Sequence, residues 1–387
     1  MCRSLVVGNA SRRRERPARV GPFAVAVACA LLLLGLLASA TPATAQTPAA
    51  VRLDSLFFAD NTEFRGPFRT GETVLGSLQR VVFEIRPGER ATVQIGVYAL
   101  ERAGAPSTFE HVLPIVALRL GTPRQQFILG TLETGGRRDG FGPDRATPHD
   151  LLPPLAVETD WFARHYQAGL QWLTRTRRFT QDAWFNYQWG NTTTRREKFD
   201  AGIVGRAHIA GPLDVGYQVH VVHHGGQQHH NGPVSDSFAI GPGLVLEGRV
   251  GRVPKVSLEL YGLASHDGPD RGTPERSIEG KAAFLRAAFQ GRQWRAHVIM
   301  WRADEAHHED GDPNYLSRFL DGVPFRPVRD YSETGFAWLF RPAPGVDLEA
   351  SARLHRIEST FSYSYRVLAT VHLTLWERQA GQPELPH

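Results

Sequence analysis

Five histidines lie within eleven residues of this chain and form its densest group of side chains that could do chemistry. They are His220, His223, His224, His229 and His230. Imidazoles at this density bind zinc, copper or nickel, although the spacing matches no standard structural zinc site. On a strand, His220 and His224 share one face while His223 points the other way. We therefore expect either a weak metal site or polar side chains at the outer ends of the strands.

A second set of candidates is charged and recurs along segments of alternating polarity. Both signs are present in this set, with arginine in excess. Its members are Arg119, Arg206, His208, Glu247, Arg249, Glu259, Arg286, Arg295, His297, Glu349, Arg353 and His355. If the apolar residues of opposite parity face lipid, these side chains line a wet interior. Because rings of charge set ion selectivity, the pattern predicts a passive pore that is mixed or prefers anions.

Signals for catalysis are weaker. Ser235 and Asp236 follow the histidines, and Asp60 and Glu63 lie near the outer end of the first predicted strand. Such groups could act as a nucleophile or a base. The chain contains no nucleophile-elbow or metalloprotease motif. We therefore expect that the protein is not an enzyme, has no catalytic residues and uses no cofactor.

The elements that position these residues are strands. After residue 50, stretches of alternating polarity are joined in pairs by seven short turns, such as Arg86-Pro87-Gly88-Glu89, and longer polar loops separate the pairs. The hairpins are 71–86/90–102, 110–120/125–134, 162–175/180–190, 198–209/214–224, 237–249/254–266, 278–289/293–304 and 329–341/346–357. Stretches 52–64 and 360–376 add one strand at each end, which makes sixteen.

This rhythm predicts an all-β fold, a transmembrane antiparallel up-and-down β-barrel of about 16 strands, give or take two. Its short turns are expected in the periplasm and its longer loops outside the cell. A soluble β-sandwich or β-helix is the alternative. The stretches run ~12–15 residues against the ~5–6 of typical soluble strands, which favours the barrel.

The ends and the composition fit an exported protein. An arginine-rich start, an apolar run from Phe23 to Ala38 and the small residues before position 46 predict a signal peptide over 1–45. The barrel would span 46–376, with a polar periplasmic tail over 377–387. Both cysteines lie in the leader, so disulfides and thiolate sites are excluded after cleavage. Removing the leader takes away six Arg and one Glu and leaves 38 basic and 38 acidic residues, which gives no support for nucleic-acid binding.

Two loops are longer than the others. The loop over 135–160 contains Leu151, Leu152, Pro153, Pro154 and Leu155. An apolar segment of this kind does not favour water, so we expect it to form a constriction in the lumen or to contact a neighbouring subunit or lipopolysaccharide. The loop over 305–326 carries His307, His308, Glu309, Asp310 and Asp312, and it is expected to be exposed and acidic.

In its hairpin rhythm, its tight turns, its leader and the aromatic Trp376 closing the last strand, the chain resembles Gram-negative outer-membrane β-barrels of porin type. The resemblance covers the whole mature chain and identifies no subfamily. It implies passive diffusion of small hydrophilic solutes in an outer membrane containing lipopolysaccharide, with a homotrimer as one assembly. Export of an anionic polysaccharide, and a receptor or adhesin role carried by the loops, are the alternatives.

Overall fold

The computed structural model describes residues 47–65, 69–135, 147–159, 162, 165–226, 228–229, 232–317 and 328–378. Within these residues the chain forms sixteen antiparallel strands that close into one barrel. They are β1 Ala49–Glu63, β2 Glu72–Gly88, β3 Ala91–Arg102, β4 His111–Thr122, β5 Gln125–Thr131, β6 Ala168–Arg175, β7 Phe179–Trp189, β8 Glu197–Ala210, β9 Leu213–Gly225, β10 Ser235–Val250, β11 Val253–Gly268, β12 Ile278–Gln290, β13 Trp294–Asp304, β14 Val328–Ala343, β15 Val346–Ile357 and β16 Thr360–Arg378. The predicted fold and the count of sixteen are confirmed.

Closure follows from pairing of the first and last strands. β1 pairs with β16 from Ala49 opposite Arg378 to Glu63 opposite Tyr363. An unclosed sheet would leave two rows of backbone N–H and C=O groups without partners in hydrocarbon, which only a closed barrel avoids. Each strand neighbours the next in sequence, so the short turns that pair the strands in hairpins gather at one end, called here the turn end. The other connections lie at the opposite end, the loop end, and all of them except the two-residue β15–β16 connection are longer.

Alternation along the strands divides the wall into two faces. On β14, Phe336, Trp338 and Phe340 are exposed, whereas Ala337 and Leu339 between them are buried. Because side chains alternate along a strand, the exposed set faces the outside of the barrel and the buried set faces the lumen. Among the described residues, no helix is long and apolar enough to span a membrane.

The observed strands differ from the predicted ones mainly around the β5–β6 loop, residues 132–167. β5 ends at Thr131 and β6 begins only at Ala168, although strand character was expected to 134 and from 162. Phe162 instead packs on Phe58 of β1, with ring centroids 4.6 Å apart. Its apolar ring is buried by packing in the interior rather than by a place in the wall. The predicted leader, 1–45, and most of the predicted tail lie outside the described residues, and β16 continues to Arg378.

The described parts of the β5–β6 loop and of the β13–β14 loop, residues 147–159 and 305–317, turn into the lumen. The Leu152 amide donates to Gln218 Oε1 on β9 at 2.7 Å, and the Trp301 indole on β13 donates to the Tyr315 carbonyl at 2.8 Å. The two loops also bond to each other, because the Val157 amide donates to the Asp310 carbonyl at 2.9 Å. Their apolar residues join those of the wall in one buried cluster.

The β13–β14 loop was expected to be exposed, and for its described residues, 305–317, this expectation is wrong. His308 is 1% exposed and Asp312 is 5% exposed. The loop can be buried because its carboxylates meet cations: Asp312 lies 3.0 Å from Arg69, and Glu309 lies 2.9 Å from Lys198 of β8.

Candidate active site

A serine, a histidine and a glutamate meet on the inner wall near the loop end. Glu333, His355 and Ser364 come from the consecutive strands β14, β15 and β16. Glu333 is directly opposite His355. Ser364 is opposite Arg353, which precedes His355 by two residues on the same face of β15. All three side chains are buried. Neighbouring strands in this register bring together groups that are 31 positions apart in the sequence.

A hydrogen bond joins Ser364 to His355, and a close contact together with a bridging hydroxyl joins His355 to Glu333. Ser364 Oγ lies 2.8 Å from His355 Nε2, and His355 Nδ1 lies 3.4 Å from a Glu333 oxygen. The Tyr331 hydroxyl bridges the same gap, because it donates to Glu333 at 2.5 Å and lies 2.8 Å from His355 Nδ1. With acceptors on the Nδ1 side, the ring proton belongs on Nδ1, so Nε2 can accept the serine proton. His297 Nε2, 2.7 Å from the other Glu333 oxygen, fixes the carboxylate.

Three arginines surround this set. A small cavity of about 20 Å³ is lined by Ser364, His355 and Glu333 together with Arg69, Arg353 and Arg366. Arg366 pairs with Asp60 of β1 at 2.6 Å. Cations at this density can stabilise negative charge that develops beside the serine.

Glu158 of the β5–β6 loop closes the cavity from the lumen side. Its carboxylate accepts from Arg353 and lies 3.5 Å from Arg366. Burial by itself would raise the pKa of Glu158, but Arg353 and Arg366 outweigh burial and hold that pKa below its ordinary value. A carboxylate of the protein therefore occupies the position between two arginines that an anionic ligand would take.

The predicted lumen residues lie on inward-facing positions, and many are paired. Arg286 meets Glu259 at 3.3 Å, Arg295 meets Glu349 at 3.0 Å and Arg206 meets Glu247 at 3.2 Å. Arg119 pairs with Glu133, and His208 pairs with Asp214. The last of the set, Arg249, lies near the turn end. Two of the set, His355 and Arg353, belong to the candidate active site, and His297 supports it. Whether the set conducts ions stays a prediction.

The predicted constriction segment lies in the lumen. Leu151, Leu152 and Leu155 are at most 1% exposed, and Pro153 and Pro154 are buried beside them. The Leu155 carbonyl lies 3.2 Å from His220 Nδ1. Its role as a constriction remains a prediction.

The histidine cluster is divided between faces. His220 and His224 face the lumen, where His224 meets Glu309 at 2.5 Å, whereas His223 meets Asp236 at 2.7 Å. His229 is exposed, and His230 lies outside the described residues. Among the residues that the structure describes, no group of three or more His, Cys, Asp or Glu side chains is arranged to hold a metal ion. A metal role for the cluster stays a prediction.

Of the weak catalytic candidates, only Asp60 reaches the site, through Arg366. Asp236 is held by His223 and by Arg271, and Ser235 pairs in the strand opposite His224. Ser364 and Glu333 were missed. The signal that could have found Ser364 is the inward series Ser362, Ser364 and Arg366, which alternates with aromatic residues on β16.

Comparison with known proteins gives one family and one fold. The profile of the family described as "Lipid A 3'-O-deacylase-type" matches residues 41–375. No protein of curated function matches the chain. Among solved structures, similarity extends to OmpTdeltaL8, a loop-deletion mutant of the Vibrio cholerae outer membrane protein OmpT. It shares 10% identity over 84% of this chain and 99% of that one, with a TM-score of 0.52.

Two further structures are similar. OpdL of Pseudomonas aeruginosa shares 12% identity over 85% of this chain and 99% of its own, with a TM-score of 0.51. The trimer form of Vibrio cholerae OmpT shares 9% identity over 84% and 99%, with a TM-score of 0.50. At these identities the likeness establishes the outer-membrane barrel fold alone. The family match overturns the expectation that the protein is not an enzyme, because the matching family is one of deacylases.

Proposed function

Because the chain belongs to the lipid A 3'-O-deacylase-type family, we propose that it is an outer-membrane enzyme that removes an ester-linked acyl chain from lipid A. The observation that carries the assignment of the site is the hydrogen-bonded set of Ser364, His355 and Glu333, with Ser364 Oγ 2.8 Å from His355 Nε2. A nucleophile, a base and a group that orients the base are the parts that acyl transfer needs.

The chemistry follows from the order of the hydrogen bonds. Ser364 Oγ attacks the ester carbonyl carbon while His355 Nε2 takes the serine proton. The bond from that carbon to the 3' oxygen then breaks, and His355 returns the proton to the oxygen. Water attacks the carbonyl carbon of the acyl-serine ester and its proton passes to His355 Nε2. The bond from that carbon to Ser364 Oγ then breaks, His355 returns the proton to Oγ, and the fatty acid leaves. Glu333 holds the imidazole in the required tautomer through Tyr331 and stabilises its protonated form.

The arginines would serve two roles. Negative charge develops on the carbonyl oxygen in the transition state, and Arg353 and Arg366 line the same cavity as Ser364. Fixed cations in a site without bulk water stabilise such charge strongly. Arginine also binds phosphate in a fork geometry, so the same pair suits an anionic glycolipid. Either role requires Glu158 to move from between the two guanidinium groups.

Access for a lipid substrate is most direct over the β15–β16 connection. At the loop end this connection has only two residues between Ile357 and Thr360. Ser364 lies five residues beyond Ser359, roughly 16 Å along the strand at 3.3 Å per residue. The lipid side of this strand carries exposed Tyr363 and Tyr365, and tyrosines favour the membrane interface. A substrate in the outer leaflet would therefore meet its lowest barrier beside the serine.

The proposal places the protein in the bacterial outer membrane with the loop end outside, where lipopolysaccharide lies. The similarity of its fold to outer-membrane barrels supports this location, and the leader predicted from the sequence would supply the export signal. A homotrimer is proposed as the assembly, supported by the trimer form among the similar structures.

Activity can be tested with purified protein folded into liposomes that contain lipid A. Mass spectrometry of the lipid and of the released fatty acid should show loss of one ester-linked chain. Ser364→Ala and His355→Ala should each lower the rate by about 10³-fold or more, since both remove an essential group of an acyl-transfer set. A phosphonate that labels activated serines should modify Ser364 in the wild-type protein and not in His355→Ala.

Ser362→Ala is the matched control. Ser362 is an inward-facing buried serine two residues away on β16, and its Oγ accepts from the Arg65 amide rather than contacting His355 Nε2. It should retain activity within a fewfold of wild type. If Ser364→Ala also retains activity while product forms, the nucleophile has been misassigned. Absence of any deacylated product from the wild-type protein would reject the proposed function itself.

A diffusion channel is the second candidate. Its supporting observation is the set of charged side chains along the lumen wall, such as Arg206 with Glu247 near the turn end. Against a wide channel stands the buried cluster formed by both inward loops and the wall. Single-channel recording in planar bilayers distinguishes the two, because a diffusion channel would give stable openings in the absence of lipid A.

A further inference from the structure

The two ends of the barrel carry charge of opposite sign. The residues that connect the strands at the turn end include six arginines and one carboxylate, Glu89. The described residues of the loop-end connections include six arginines and eleven carboxylates. The turn end is therefore basic, whereas the described part of the loop end is acidic. The six basic residues of the turn end, called here the turn arginines, are Arg90, Arg124, Arg177, Arg178, Arg252 and Arg292.

The turn arginines are exposed, and none of them forms an ion pair with a described residue. Ion pairs do form close to them, but these use other arginines: Arg86 meets Glu84 at 2.6 Å, and Arg175 meets Glu133 at 2.9 Å. These carboxylates are already neutralised on the strands. The charge of the turn arginines is therefore available to a partner from outside the chain.

The turn arginines border the apolar outer face of the barrel. Val250, which is 64% exposed, precedes Arg252 by two residues, and Phe289, which is 40% exposed, precedes Arg292 by three. At about 3.3 Å per strand residue, these arginines lie within roughly 10 Å of the apolar surface. An arginine at this boundary can place its guanidinium among lipid headgroups while its stem stays against hydrocarbon.

Exposed tryptophans lie at the same end of the outer face. Trp172 is three residues before the end of β6, and Trp376 is two residues before the end of β16. Tryptophan favours the boundary between hydrocarbon and water, because its ring is apolar and its N–H can donate a hydrogen bond. These residues support a position of the turn arginines at the level of the headgroups.

The turn arginines are spread around the barrel rather than gathered on one side. They occupy five of the seven hairpin turns, from β2–β3 to β12–β13. Each turn has only two or three connecting residues, so none projects far from the wall. A globular protein would contact one side of such a ring, whereas membrane lipids surround the whole barrel. The arrangement therefore favours lipid headgroups as the partner.

We propose that the turn arginines bind the anionic headgroups of phospholipids at the periplasmic surface of the membrane. Arginine suits this partner because its planar guanidinium donates two parallel hydrogen bonds to a phosphate. Each basic residue near an anionic membrane surface strengthens association by roughly 5-fold. The contact holds the turn end at one side of the membrane, while the acidic loop end faces the other. The inference rests on the placement of the loop end outside the cell and is independent of the deacylase reaction.

Lipid preference can be measured with the refolded full-length protein in phosphatidylcholine vesicles. A rising share of the lipid is replaced by brominated phosphatidylglycerol or by brominated phosphatidylcholine, and quenching of the lipid-facing tryptophans gives the ratio of the two association constants. Both sides of the vesicle have the same composition, so the direction of insertion does not matter. Phosphatidylglycerol should be preferred by about 5-fold. Raising NaCl from about 0.1 M to about 1 M should remove most of this preference, because the screening length falls from about 10 Å to about 3 Å.

Two variants test the residues. Replacing all six turn arginines with glutamine should abolish the preference for phosphatidylglycerol. Arg177→Gln/Arg178→Gln should remove part of it. That turn is held by Thr176, whose hydroxyl donates to the Phe179 carbonyl and accepts from the Phe179 amide, both at 2.9 Å. Folding of the two-residue variant therefore does not depend on the arginines, and its different electrophoretic mobility before and after heating should confirm this.

Arg271→Gln/Arg302→Gln is the matched control. It removes the same two charges from exposed residues near the loop end, where each arginine meets a carboxylate, and it should keep the preference. Inorganic phosphate should have no more effect than NaCl at the same ionic strength. The proposal is overturned if the wild-type protein does not prefer phosphatidylglycerol, if either folded turn variant keeps the whole preference, or if the control loses as much as Arg177→Gln/Arg178→Gln. A stronger effect of inorganic phosphate would also overturn it, because the turn end would then bind a free anion.

Discussion

Replacing Glu158 with glutamine should increase the activity of the proposed deacylase. Glu158 lies on the β5–β6 loop and bonds to Arg353 and Arg366, the two cations beside Ser364. Glutamine keeps the size of the side chain and removes its charge. Each arginine retains another partner, Glu333 at 3.6 Å for Arg353 and Asp60 at 2.6 Å for Arg366, so neither cation is left uncompensated in the wall.

The magnitude follows from these contacts. A hydrogen bond to a charged group contributes about 1.5–3 kcal/mol, and the retained partners reduce the net loss to about 1–2 kcal/mol. That loss would raise the population with the loop displaced by roughly 5- to 30-fold. If displacement of Glu158 precedes substrate entry, kcat/KM for lipid A should rise by a similar factor.

The assay is the rate of fatty acid release at low lipid A concentration, together with hydrogen exchange of the peptide that covers 147–159. Glu309→Gln is the matched control, because Glu309 anchors the other inward loop to Lys198 and His224 on a different part of the wall. It should loosen its own loop without raising the rate. A fall in rate for Glu158→Gln, with unchanged exchange, would refute the reasoning and indicate that the carboxylate takes part in the chemistry.

Three other outcomes are expected. Since the pKa of Glu158 is held below its ordinary value, its anchoring contact is present above about pH 4.3 and is lost as pH falls through the lowered pKa, so exchange of the loop should accelerate in acid. Burial would lower the pKa of His149, but the Asp182 carboxylate outweighs burial and raises that pKa. The contact between the His149 imidazolium and Asp182 is complete below about pH 6.5 and is lost as pH rises through the raised pKa. Hydrogen exchange around residue 149 should therefore accelerate in alkali, and His149→Asn should abolish this dependence. Leu152 is 0% exposed, so Leu152→Ala should destabilise the packing of the loop in the lumen by about 2–5 kcal/mol and increase any conductance in planar bilayers. The barrel is closed by its own backbone hydrogen bonds, so it should stay folded, as seen by a different electrophoretic mobility before and after heating.

The sequence alone determined the barrel. Alternation and turn length are local properties, so they could be read from neighbouring residues, and they predicted sixteen strands within a few residues at most ends. Parity also determined which side chains face the lumen, including His355 and Arg353. For the same reason it could identify Ser364 and Glu333 as inward-facing, but nothing local singled them out from other polar residues on the wall.

Only the tertiary structure decided which inward residues meet. Register between β14, β15 and β16 brings Ser364 within 2.8 Å of His355 Nε2, and a shift of one residue would have turned the serine to the other face. The loops behaved likewise. From the sequence, Asp312 and Glu309 are expected to be exposed to solvent. They can instead be buried in the lumen because Arg69 and Lys198 lie opposite them. Such pairings join positions more than a hundred residues apart, and a local pattern carries no information about them.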